Sequence, residues 1–249
     1  MYLSGLRSLH TDLGYGDPTA GRIRLERVFR GVKRLQGTKD SKPRLPITTA
    51  LLALFRPLLD MSVPDDRLSW AAMTLATCGL FRVGEITVPK SSTPDPYGLL
   101  TISNLKFSNP MAPSQSEYMT IHLKASKADP FRKEIDVHVA NPSAIDAMVS
   151  YLAQRPAPIS PSSPLLAFSD GKPLDRFHLI NATRSLVSQL GLDASLYSGH
   201  SFRRGGATSL ALAGVPDRII KIMGRWRGWS YGLYIDVPIG ELIRAGLRM

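Results

Sequence analysis

His200 and Arg203 lie three residues apart in "SGHSFRRGGAT", and Tyr231 and Tyr234 follow in "GRWRGWSYGLYI". At positions i and i+3 of a helix start, a histidine and an arginine share one face. The N-terminus of a helix attracts an anion, and the planar fork of Arg203 can hold two phosphate oxygens. His200 can move a proton near neutral pH. A phenol has a pKa of about 10, so Tyr231 or Tyr234 can attack at neutral pH only beside positive charge and a proton acceptor. The combination reads as phosphoryl-transfer chemistry. Each piece also has a plainer reading, in which the tyrosines are amphipathic aromatics packed at a helix end.

Two stretches upstream supply further cations. In "CGLFRVGEIT", Arg82 follows an apolar helix and precedes Glu85. Burying an unpaired charge is costly, so Arg82 needs a partner there. It is either an ion-paired structural arginine or an inward arginine held by Glu85 and aimed at a phosphate. In "LKASKADPFRKEIDV", Lys127 falls in a hairpin loop, from which a flexible cation reaches a ligand, and Lys124 lies on the strand before it. Ordinary surface lysines are the alternative.

The elements that must carry these residues are legible from periodicity. Amphipathic helices are expected over 2–13 and 21–35. In the second, Ile23, Leu25, Val28, Phe29, Val32 and Leu35 fall on one stripe. Arg22, Arg24, Arg27, Arg30, Lys33 and Arg34 fall on the other, which is a solvated face but an unusually one-signed one. "QGTKDSKPRLPIT" has no periodicity and is punctuated by Gly37, Pro43 and Pro46, as a linker is. Helices are expected over 49–60, 64–80, 142–155, 175–190, 201–213 and 216–225, with a short one from Trp229. "GLLTISNLKF", "SEYMTIHLKAS" and "KEIDVHVA" have the β-branched, alternating character of strands. The fold class is therefore α+β, mainly α, with a small antiparallel sheet. The regular βαβ alternation and Gly-rich phosphate loop of nucleotide-driven enzymes are missing from the pattern.

Composition agrees with a polyanionic partner. The 249 residues carry 31 Lys and Arg against 20 Asp and Glu, a net charge of +11, and 43% of them are apolar. A globular domain this basic points to nucleic acid first. The one cysteine excludes a disulfide framework and a Cys-rich zinc site. Cys78 sits in the apolar run "WAAMTLATCGLF", where a buried thiol is expected rather than a nucleophile. No signal peptide and no membrane-spanning apolar run is evident, so an intracellular, reducing compartment is expected.

Taken in order, "GLFRVGEIT", "ASKAD", "GHSFRRGGAT" and "GRWRGWSYGLYI" resemble the four motifs of the tyrosine recombinase (phage integrase) family, with wording similar to its Crypton- and DIRS-like eukaryotic branch. The resemblance implies a catalytic domain over 48–249, a linker at 37–47 and, at 1–36, the C-terminal remnant of a helical, SAM-like core-binding domain. Such a remnant suggests a fragment, a decayed element or an incomplete gene model.

The resemblance also assigns roles. Arg82 and Arg203 match the two catalytic arginines, Lys127 the general acid, His200 the proton-transfer residue, Trp226 the His-or-Trp position and Tyr234 the nucleophile. Glu85 and Tyr231 are supporting residues. Arg22, Arg30, Lys33, Arg34, Lys124, Arg204 and Arg225 are candidate contacts to the DNA backbone. The implied reaction breaks and rejoins DNA through a 3′-phosphotyrosyl link, with no metal, cofactor, ATP or small-molecule substrate. The implied partners are double-stranded DNA and further copies of the chain in a tetrameric synapse, in the nucleus if the source is eukaryotic, with no membrane. A weak or inactive DNA-binding descendant and a topoisomerase-like nicking–closing enzyme are the alternatives. The chain departs from the family pattern at Ala128, where a Thr is usual, and at Gly228 and Trp229, where small or polar residues are commoner.

Overall fold

A computed structural model describes residues 2–36, 44–89, 99–124, 134–155, 159–226 and 228–235. The chain divides into two compact units, Met1–Pro43 and Arg44–Met249. The first unit contains helices α1 (Tyr2–Asp12) and α2 (Ile23–Gln36). Asp17 organises the turn between them, since Thr19 donates to it from both backbone and hydroxyl and Arg7 pairs with it at 3.2 Å. Leu6, Leu9, Ile23, Val28 and Leu35 remain exposed on these helices. Arg22, Arg30 and Arg34 are exposed as well, and the Lys33 side chain lies outside the described residues.

The second unit runs α3 (Thr49–Phe55), α4 (Pro64–Cys78), α5 (Val83–Ile86), β1 (Leu105–Phe107), β2 (Met119–Leu123), β3 (Ile135–Val139), α6 (Pro142–Ala153), α7 (Arg176–Gln189), α8 (Gly199–Leu212) and α9 (Asp217–Met223). The sheet is antiparallel in the order β1-β2-β3, with Ile121 opposite both Leu105 and Val137. Met119, Ile121 and Leu123 point into the core while Thr120 and His122 face outward, as alternation requires. Helix α4 is buried along most of its length, and Leu68, Met73, Leu75 and Phe81 join Phe55, Met148 and Phe202 in the main core. A second, smaller cluster of Leu80, Ala207 and Ile220 sits between α8 and α9, with Trp226, Tyr234 and Ile235 packed against it.

The elements depart from the sequence pattern where side chains intervene. Helix α3 stops at Phe55 and passes into a 3₁₀ turn over Arg56–Leu58, because Pro57 supplies no backbone N–H. Within "GLLTISNLKF" only Leu105–Phe107 is strand. Asn104 accepts from the Thr101 N–H and hydroxyl at 2.9 Å and closes a 3₁₀ turn over Ile102–Asn104. The last helix is a 3₁₀ segment over Trp229–Tyr234. Arg44 to Ile47, read from the sequence as the end of a linker, lies along α8: Leu45 donates to the Leu196 carbonyl and Ile47 to that of Ser201, both at 2.9 Å.

Candidate active site

The turn between α4 and α5 builds one wall of the site. Leu80 takes a left-handed φ of 49°, which turns its carbonyl toward α8 and α9. Arg82 is the N-cap of α5, and its backbone N–H donates to Glu85 Oε2 at 2.9 Å while its Nη1 reaches Glu85 Oε1 at 2.7 Å. The Glu85 side chain is almost wholly buried, and its Oε2 also takes Arg225 Nη2 at 2.8 Å. Burial works to raise the Glu85 pKa, but Arg225 and then the Arg82 backbone and side chain overcome it and hold the carboxyl below its ordinary 4.5.

The sign follows for stability. A carboxyl with a depressed folded pKa contributes stability that is present above the ordinary value and disappears as pH falls through the folded one. Glu85→Gln is therefore expected to cost about 3 kcal/mol at pH 7, since it takes the carboxylate away from the buried Arg225 and the part-exposed Arg82. The deficit relative to wild type should shrink as denaturant titrations are moved below pH 4.5.

Helix α8 builds the second wall. Ser198 caps it, accepting from the His200 N–H, so His200 stands in the first turn and is exposed. Arg203, one turn on, has no exposed surface at all. Its Nη1 donates to the Leu80 carbonyl at 2.6 Å and its Nη2 to the Gly224 carbonyl, while its buried Nε has no hydrogen-bond partner among the described residues. Its guanidinium lies 4.3 Å from the ring centre of Trp226 and 5.8 Å from that of Tyr234. Burial first, then the charges of Arg82 and Arg225, push its pKa down to about 9, which leaves it a cation at neutral pH. The sequence reading had the Arg203 fork open to a phosphate. Here main-chain carbonyls hold both of its ends.

The segment after α9 closes the site. The Tyr234 ring sits 5.2 Å from Trp226 and 6.5 Å from His200, and its carbonyl accepts from the buried Thr208 hydroxyl at 3.3 Å. Tyr231 is buried and donates its hydroxyl proton to Asp217 at 2.6 Å, and this bond raises its pKa. A cavity of about 230 Å³ opens over the site, lined by Arg44, His200, Arg204 and Tyr234. Thus Tyr234 is the phenol at the open cavity, while Tyr231 is tied down beneath α9.

Of the residues singled out in the sequence, Arg82, Glu85, Arg203, Arg225, Trp226 and Tyr234 come together, with His200 at the mouth. Lys127 lies outside the described residues, and Lys124 is half-buried at the end of β2. Arg225 turns inward on Glu85 with its side chain 10% exposed. Sequence reasoning missed Arg44, which it placed in a linker. Arg44 donates to the Ser195 carbonyl and so stands beside the cavity. Nothing in the residues around it marks that role.

Cys78 is pushed up to about 11 by burial, so its thiol stays protonated. Among the described residues, no helix is long and apolar enough to cross a membrane, and no cluster of His, Cys, Asp and Glu could hold a metal ion.

No protein-family model and no curated protein matches the chain. Solved structures do. The XerH site-specific recombinase bound to palindromic difH substrate aligns with a TM-score of 0.60 and 16% identity, over 83% of this chain and 53% of that one. XerA recombinase aligns with a TM-score of 0.60 and 14% identity, over 99% and 89%. The fold is that of a tyrosine recombinase catalytic domain. The Tn1549 transposon integrase in complex with circular intermediate DNA aligns with a TM-score of 0.51 and 14% identity, over 84% and 66%. The chain spans about half the length of the XerH chain.

Proposed function

We propose that this chain is a site-specific DNA recombinase or integrase of the Crypton- or DIRS-like branch, acting through a 3′-phosphotyrosyl intermediate. The observation that carries the proposal is the position of Tyr234, a phenol at an open basic cavity with His200 on one side and the Arg203 guanidinium on the other. The phenol oxygen of Tyr234 attacks the scissile phosphorus and loses its proton, with His200 assisting the transfer. The bond to the 5′ oxygen breaks, and Lys127 protonates that oxygen. Arg82 and Arg203 stabilise charge on the nonbridging oxygens. A 5′-hydroxyl then attacks the phosphotyrosine and reverses the step, so the bond energy is kept and no ATP is consumed. Recombination would join two duplexes in a tetramer of the chain.

Incubation with nicked suicide duplexes carrying the ends of the chain's own element tests this. A covalent protein–DNA band on a denaturing gel is expected; binding without any band would leave a DNA-binding descendant. The complete burial of Arg203, with both ends of its fork on main-chain carbonyls, favours that second reading. Relaxation of supercoiled plasmid without exchange would point to nicking and closing alone.

Arg44 and Arg204 at the cavity rim are suited to a phosphate next to the scissile one. Arg44→Ala is expected to weaken duplex binding uniformly across sequences and to reduce the slope of log affinity against log salt by about 1. Fluorescence anisotropy at several salt concentrations measures both.

A further inference from the structure

Arg225 has no part in the mechanism above, yet its side chain makes four hydrogen bonds within the site. Its backbone φ is 56°, in the left-handed region where a non-glycine residue is held only by its surroundings. Its Nη1 donates to the carbonyls of Gly79 at 3.3 Å and Met223 at 3.4 Å. Its Nη2 donates to Leu80 at 3.2 Å and to Glu85 Oε2 at 2.8 Å, across 140 residues of chain. The guanidinium carbon lies 5.1 Å from the centre of the Phe81 ring.

Two of those acceptors, Leu80 and Glu85, also hold Arg203 and Arg82, the arginines assigned to the phosphate. Glu85 gives Oε1 to Arg82, and the Leu80 carbonyl accepts from Arg203 at 2.6 Å. Arg225 also changes the charge balance. Paired with Arg82 alone, Glu85 would cancel it. Shared with Arg225, this carboxylate sits with the guanidiniums of Arg82, Arg203 and Arg225, so these four groups among the described residues carry two net positive charges. Two positive charges match a phosphodiester under attack by a phenolate, which carries two negative ones.

We infer that Arg225 is a positioning residue, which sets Arg82 through the Glu85 carboxylate and Arg203 through the Leu80 carbonyl. The inference rests on the recombinase reading for its consequence and on the hydrogen-bond network for its geometry. Arg225→Ala is expected to slow covalent attachment to a nicked suicide duplex by about 10²-fold, the scale of a small misplacement of reacting groups. Duplex affinity should stay near wild type, because the side chain does not face the cavity. Arg225→Lys keeps a cation for Glu85 but not the fork for the carbonyls, and should recover part of the rate.

If Arg225→Ala fails to fold, Arg225→Lys, expected to attach more slowly than wild type, carries the same measurement. A folded variant that attaches at the wild-type rate overturns the inference, as does Arg225→Lys no faster than Arg225→Ala. A cycle of Arg82→Ala and Arg225→Ala on urea unfolding separates this from the recombinase reading. If the wild type binds DNA but never attaches, that reading fails. The link between the two arginines through Glu85 then stands if their losses of stability are coupled, and falls if they simply add.

Discussion

Tyr234→Phe will leave this chain able to hold a DNA duplex and unable to become covalently attached to it. The substitution removes one oxygen. The ring stays against Trp226 at 5.2 Å and in the apolar cluster with Leu80, Ala207 and Ile220. The main-chain carbonyl of residue 234 still accepts from Thr208. Arg44, Arg204 and His200 keep their places around the cavity, so affinity and its salt dependence should match wild type. Under the proposed mechanism the covalent band should fall below detection, since the attacking oxygen is the atom removed. Tyr231→Phe gives the contrast: it loses the bond to Asp217 but leaves the cavity untouched, so attachment should persist. Suicide-substrate gels run on both variants decide between the two phenols. Attachment kept by Tyr234→Phe and lost by Tyr231→Phe would mean that the site described above is not the reactive one.

That contrast was partly legible in the sequence. Helices α4, α6, α7 and α8 follow from the sequence pattern, while the caps that start the last three, Asn141, Asp175 and Ser198, emerge only in the structure. The alternation in "YMTIHLK" marks β2 and its buried face. The motif order drew Arg82, His200, Arg203 and Tyr234 together before any coordinates. Burial was the part that could not be read. Arg203 and Arg204 are adjacent and chemically identical, yet one has no exposed surface and the other lines the cavity, because α8 turns about 100° between them. Arg225 looked like one more backbone contact in a basic stretch, because its partners Gly79, Leu80 and Glu85 lie far upstream and a left-handed backbone leaves no mark on an arginine. Arg44 was hidden by its neighbours. Prolines on both sides read as linker, while the backbone of this segment pairs with residues 196 and 201.

The same close approach leaves Gly205 and Gly206 no room for a side chain against neighbouring backbone. A Cβ at Gly205 would overlap the carbonyl of Ile47, and one at Gly206 would overlap the carbonyl of Thr77 and the side chain of Leu80. Neither neighbour is a flexible tip. Ile47 is fully buried and its N–H is bonded to Ser201, and Thr77 is part of buried α4. Relief would require α8 to move away from both. That displacement would carry Arg203 off the Leu80 carbonyl and Thr208 off Tyr234. Gly205→Ala and Gly206→Ala are each expected to cost about 3 kcal/mol or more, the upper end of overpacking, with covalent attachment lost even where the fold survives. Gly228→Ala is the control, since nothing among the described residues lies within 4 Å of its would-be Cβ and its φ is −137°; it should change stability by no more than about 0.5 kcal/mol. Urea titrations of the three variants give the comparison. If Gly205→Ala unfolds at the wild-type midpoint, the 44–47 segment yields to a methyl group and does not brace α8 beneath Arg203.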